Sequence, residues 1–178
     1  MAEIKSTLEL VMERTRNLSM SDEDKREQAA KEFKDAVNRL CLKYLDRQID
    51  LDGFQRDFSR LDSGPGARAE AAAEIARRLD PTADNGPVLD LIRHGLDYDI
   101  SGFETILGHF QERVQVEDVR AADQVRMSLL DRGISGSAVT PNLETDRHRT
   151  AKLGELVGAF GEELAVEIAK LSGADAES

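Results

Sequence analysis

DEDKREQAAKEFKDAVNRLCLKYLDRQIDLDGFQRDFSRL, residues 22–61, is the stretch that decides the fold class. Ala30, Phe33, Val37, Leu40, Tyr44, Arg47, Leu51, Phe54, Phe58 and Leu61 recur in it at alternating steps of three and four, with Arg47 the one break. Each residue of an α-helix turns by about 100°, so this spacing keeps large side chains on one face, ready for another helix to cover. Asp50, Asp52 and Gly53 interrupt good helix formers, and Gly inside a helix costs roughly 1 kcal/mol against Ala. The stripe is therefore read as two helices rather than one rod of about 60 Å.

Asp50-Leu-Asp-Gly-Phe-Gln55 is echoed by Asp99-Ile-Ser-Gly-Phe-Glu104. In the first copy Asp52 is placed as N-cap to the backbone of Gln55, with Gln55 reaching back; Ser101 and Glu104 hold the same places in the second. Two equivalent turns predict two helical hairpins. Upstream, Leu8, Val11, Met12, Thr15 and Leu18 form the stripe of a first helix, and Ser21 or Asp22 caps the next. Downstream, Asp62-Ser-Gly-Pro-Gly66 stops a helix, and Ala67 to Leu79 keeps Ala71, Ile75 and Leu79 on one face. Asn85 and Pro87 open a short helix that turns Val88, Ile92 and Leu96 inwards.

Beyond the second turn, Phe103, Ile106, Leu107, Phe110 and Val114 share a helical face, while Val119, Ala122, Val125 and Leu129 follow on a shifted one. The slip predicts a bend or short break near residues 115–118, and Gly133 reads as the glycine that ends the helix. Ile134 and Val139 are expected to pin the irregular stretch from Gly133 to Asn142 to the core. The last helix, about Asp146 to Leu171, carries a large stripe of Leu153, Val157, Phe160, Leu164, Ile168 and Leu171. Beside it run Gly154, Gly158, Gly161 and Ala165, small residues that are expensive in a helix unless another backbone comes close. That backbone belongs either to the same chain or to the same helix of a second copy.

A chain of 178 residues can bury a sizeable core as one domain. The expected architecture is a single all-α domain over residues 1–178, with frayed termini and six or seven helices in antiparallel hairpins, bundle-like. Charged residues make up 33% and aromatics 4%, which suits interleaved helices better than stacked strands. A formal net charge of -11 repels phosphate backbones and anionic lipid, so neither nucleic acid nor membrane is an expected partner. No apolar run approaches the ~20 residues of a membrane span, and the opening residues lack a signal peptide's apolar block; a cytoplasmic location is expected. Cys41 is the one cysteine, which excludes an internal disulfide and a cysteine-built zinc site and leaves it a small hydrophobe.

Candidate chemistry is sparse. Neither Asp-Gly turn supplies the full ligand set of a calcium loop: the first begins at Gln48 and has Ser59 at the twelfth place, and the second fits Asp97, Asp99 and Ser101 but has Gly108 at the twelfth. Asp90 with His94, Glu144 with His148 and His109 with Glu112 are helix-spaced pairs without a matching second pair, so no metal or cofactor is expected. Ser135 and Ser137 lie in a Gly-flanked loop without the strand-turn-helix frame of a nucleophile elbow. Gly133 to Ser137, followed by Arg147, Arg149 and Lys152, offers a loose phosphate cradle with no Gly-Lys-Ser/Thr motif, and Ser135, Ser137, Arg147, His148 and Arg149 make up the candidate loop site.

The opening Met1-Ala-Glu-Ile-Lys-Ser-Thr-Leu-Glu-Leu-Val-Met-Glu13 and the Gly-Ile-Ser-Gly-Ser-Ala-Val stretch from Gly133 resemble segments of an uncharacterised family of small bacterial proteins. The resemblance extends over most of the chain and implies bacterial origin; it implies no activity and assigns no residue a role. The residues themselves lead to a cytoplasmic interaction or scaffold protein, a homodimer joined through Gly154, Gly158, Gly161 and Ala165. The alternative is a metal- or phosphate-dependent enzyme built on the loop at residues 133–142.

Overall fold

In the computed structural model, which describes residues 21–61, 66–136, 140 and 142–174, Ser21 starts the first described helix with a reciprocal cap, and the helix expected over Leu8 to Leu18 lies outside the described residues. Its hydroxyl accepts from the Asp24 backbone at 3.0 Å, while the Asp24 carboxylate accepts from the Ser21 backbone at 2.9 Å. Three acids, Asp22, Glu23 and Asp24, then occupy the first turn, where the helix dipole favours them. Helix α1 runs Asp22–Leu45, followed by α2 (Leu51–Phe58), α3 (Ala67–Ala76) and α4 (Gly86–Asp90). One π-helical turn (Leu91–Gly95) leads to α5 (Ser101–Asp131), and a 3-10 turn (Leu143–Thr145) to α6 (Arg147–Ala174). The described residues contain no strand and form an all-α bundle of six α-helices. Among them no helix is long and apolar enough to cross a membrane.

The stripe of residues 22–61 does what its spacing predicts. Val37, Leu40, Phe54 and Phe58 are buried, and Phe33, Tyr44, Leu51 and Leu61 pack partly buried against them. Phe54 and Phe58 stack at 5.9 Å, and Phe33 meets Phe58 edge-on at 6.4 Å. Arg47, the polar break, lies in the left-handed region with φ 57, in the tight turn that ends α1. A non-glycine residue there costs about 1–2 kcal/mol, and the position faces solvent, which excuses it from being apolar.

The caps of the two echoed turns differ from expectation. The N-cap of α2 is Asp50, whose carboxylate accepts from the Gly53 backbone at 2.8 Å; Asp52 sits inside the first turn, and the Gln55 amide donates to the His94 carbonyl at 2.7 Å. At α5 the cap position is Ile100, and Asp99 folds back on Ser101, accepting from its backbone at 3.0 Å and its hydroxyl at 2.7 Å. These hydrogen bonds hold the Asp99 carboxyl below its ordinary pKa. Glu104 is drawn away by Arg93 at 3.0 Å. In both turns an Asp two residues ahead of the expected cap is nearer the free backbone N–H groups. Asn85 likewise leaves its helix uncapped, bonding Asp80 and Ala83 instead, while Val88, Ile92 and Leu96 are buried as expected.

The middle of the fold is α3. Its Ala69, Ala71, Ala72, Ala73, Ile75 and Ala76 are all buried, because α1 covers it on one side and α6 on the other. Lys34 to Glu70 at 3.5 Å and Asn38 to Glu74 at 2.6 Å show α1 and α3 running in the same direction. α5 and α6 pair antiparallel, with Phe110 against Phe160 at 5.9 Å and Asp118 against Arg149 at 2.6 Å.

Cys41, fully buried on α1, has its thiol pushed above its ordinary pKa by that burial, with Arg78 pulling the other way. With no surface exposed, it meets a reagent only when the core opens. Labelling by a thiol reagent is expected to run at least about a thousandfold slower in the native chain than in urea. A native rate equal to the unfolded one would show that this face of α1 is open.

Candidate functional site

Helix α5 is unbroken from Ser101 to Asp131, with no break at residues 115–118. Its first half buries Phe103, Ile106, Leu107 and Phe110 in the core; beyond them it buries only Glu117 and Ala121. Among the described residues the second half packs on α6 and the 3-10 turn, and polar side chains fasten it there. Both Glu117 oxygens accept from Arg120 Nη1, at 3.2 and 3.1 Å, and Arg120 Nη2 lies 2.9 Å from His148 Nε2. Arg149 Nε donates to Asp118 at 2.6 Å, a bond that raises the guanidinium above its ordinary pKa. Asp146 accepts from the His148 backbone at 2.8 Å and the Arg149 backbone at 3.3 Å, which starts α6 beside this cluster.

His148 and Arg149 therefore bond across to α5, Arg147 is exposed at the start of α6, and Ser135 is exposed beyond the end of α5. Ser137 and Val139 lie outside the described residues. Gly133, with φ 74, ends α5 as expected, and the Ile134 backbone donates to Leu129 at 2.9 Å. Ile134 itself is 45% exposed and pins nothing to the core, because the chain has already left the bundle there. Among the described residues no three His, Cys, Asp or Glu side chains converge as a metal site would need.

The fastened hairpin carries two bare outer faces. On α5, Val116, Val119, Met127 and Leu130 are 69, 58, 62 and 54% exposed. They lie roughly opposite Glu117 and Ala121 at 100° per residue, with Asp123 in the middle of the row. On α6, Gly154, Gly158, Gly161 and Ala165 are exposed, about 130° round the helix from buried Phe160. A Cβ built on any of these three glycines meets nothing within 4 Å. The described part of the chain thus leaves uncovered the close approach that these residues would permit.

A cleft of about 950 Å³ lies between the end of α2, the start of α3 and the π-helical turn, lined by Gln55, Phe58, Arg68, Arg93, His94 and Tyr98 among others. Its residues are distant in sequence, and no motif marks them. Arg93 is tied to Glu104 there, and the His94 carbonyl to Gln55.

No family model, curated protein or solved structure matches this chain. The functional reading stands on the faces just described.

Proposed function

We propose that the chain is an interaction protein that works through the outer faces of the α5–α6 hairpin and associates with itself. The observation that carries this reading is the row of Val116, Val119, Met127 and Leu130, exposed on a helix whose opposite side is already packed. Scattered exposed hydrophobics are ordinary, but four on one helical face form a patch of the kind that marks protein contacts. Fully burying a side chain of this size contributes about 1.5–3 kcal/mol, so a partner that covers even half of the row gains several kcal/mol before association costs. The glycine face supports the same reading, since Gly154, Gly158 and Gly161 weaken α6 by roughly 1 kcal/mol each and, in the described chain, gain no packing in return.

Light scattering coupled to size exclusion tests it. Across micromolar concentrations the wild-type chain is expected to exceed its monomer mass of 19.7 kDa. Gly158→Leu, placed where open space surrounds the helix, should return the mass to the monomer without loss of helicity. A wild type that stays monomeric over the whole range removes the proposal.

A further inference from the structure

We infer that copies of this chain join head to tail, the α5 outer row of one packing on the α6 outer face of the next. This rests on the self-association reading and adds its geometry. The two faces are matched in length: Val116 to Leu130 spans about 21 Å of helix, and so does Ala151 to Ala165. Each advances by threes and fours, Ala151, Gly154, Gly158, Gly161 and Ala165 on one side and Val116, Val119, Asp123, Met127 and Leu130 on the other. One row is of large side chains and the other has almost none, the condition for knobs to settle against a bare backbone.

Charge favours the same pairing. Exposed Glu155 and Glu162 flank the small face, and exposed Arg120 and Arg126 flank the large row. Within the chain Arg120 pairs with Glu117, Arg126 with Asp123 and Glu155 with Lys152, each three residues apart. The pairs of Arg126 and Glu155 are exposed on both sides and exchange partners at little cost. A symmetric α6–α6 contact would bring Glu155 and Glu162 against the same acids of the other copy and leave the α5 row bare. A symmetric α5–α5 contact would bring Asp123, the midpoint of the row, towards its own copy and leave the small face bare. In the mixed contact Asp123 comes opposite the neighbourhood of Gly158, where the missing side chain leaves room for water.

The helical angles put the two faces on opposite sides of the hairpin. A contact between unlike faces so placed does not close on a two-fold axis; it repeats, as a ring or an open chain. Mixing two single-face variants of the full chain tests this, with circular dichroism confirming that both stay helical. Val119→Glu with Met127→Glu breaks the α5 row, and Gly158→Leu breaks the α6 face. Each variant alone is expected to be monomeric, and an equimolar mixture to double in mass and stop at two chains, because one intact face of each kind remains. If either variant alone still dimerises, the interface is symmetric on its intact face and the inference falls. It falls equally if the mixture stays monomeric while the wild type associates. A wild type that never associates defeats the earlier reading instead.

Discussion

Phe54→Ala is expected to lower the free energy of unfolding by about 3–5 kcal/mol, seen as an early urea midpoint with an unchanged slope. The ring is fully buried, stacked on Phe58, and presses on Gly95, where a Cβ would sit 3.2 Å from its carbons. Leu91 and Val37, also fully buried, belong to the same core cluster, so the space left by the ring cannot collapse by a simple rotamer change. The cost is then both lost transfer free energy and a cavity, against a total stability of about 5–15 kcal/mol for a domain. A loss below about 1 kcal/mol would mean that α2 does not close the core.

Ala72→Leu should cost about 1–3 kcal/mol by the opposite route, lowering the thermal midpoint by roughly 2–12 °C. Ala72 is fully buried on a helix enclosed by α1 and α6, and three added carbons must push one of those helices away. Leucine is a good helix former, so propensity contributes little to the loss. Gly158→Leu adds still more volume to α6 but meets open space, and by itself should leave the monomer as stable as before or more so. Equal damage from the two substitutions would show that the α6 face is covered within the chain.

The large apolar residues of the first two helices were readable because a strong side chain at every third or fourth place leaves little doubt about which face is inside. Phe33, Val37, Leu40, Phe54 and Phe58 fulfil that reading. The central place of α3 was not readable, since alanine gives almost no contrast between faces; Ala69, Ala72, Ala73 and Ala76 look neutral in sequence and are buried in the fold. The break expected in α5 has a related cause. Val119 lies on the exposed row with Val116, while Ala122, Val125 and Leu129 are half-buried on another face, and two apolar faces on one unbroken helix imitate a slip of phase. The small residues of α6 were visible as a face, but whether anything covers them depends on contacts between distant segments. The cleft at Arg68, Arg93 and Tyr98 gave no signal for the same reason.

The enclosure of α3 also sets a timetable for synthesis. Roughly 70 residues separate the end of α3 from the start of α6, the helix that forms its second wall. At a translation rate of about 5–20 residues per second, α3 waits roughly 4–14 s after it is made before α6 begins to follow. During that interval α1 and α2 can dock from one side, while the other presents a smooth alanine-rich surface to the ribosome exit, to chaperones and to neighbouring nascent chains. A surface with so little side-chain relief offers few anchors for a wrong partner, so the helix that waits for its second wall is also the one least able to stick while it waits.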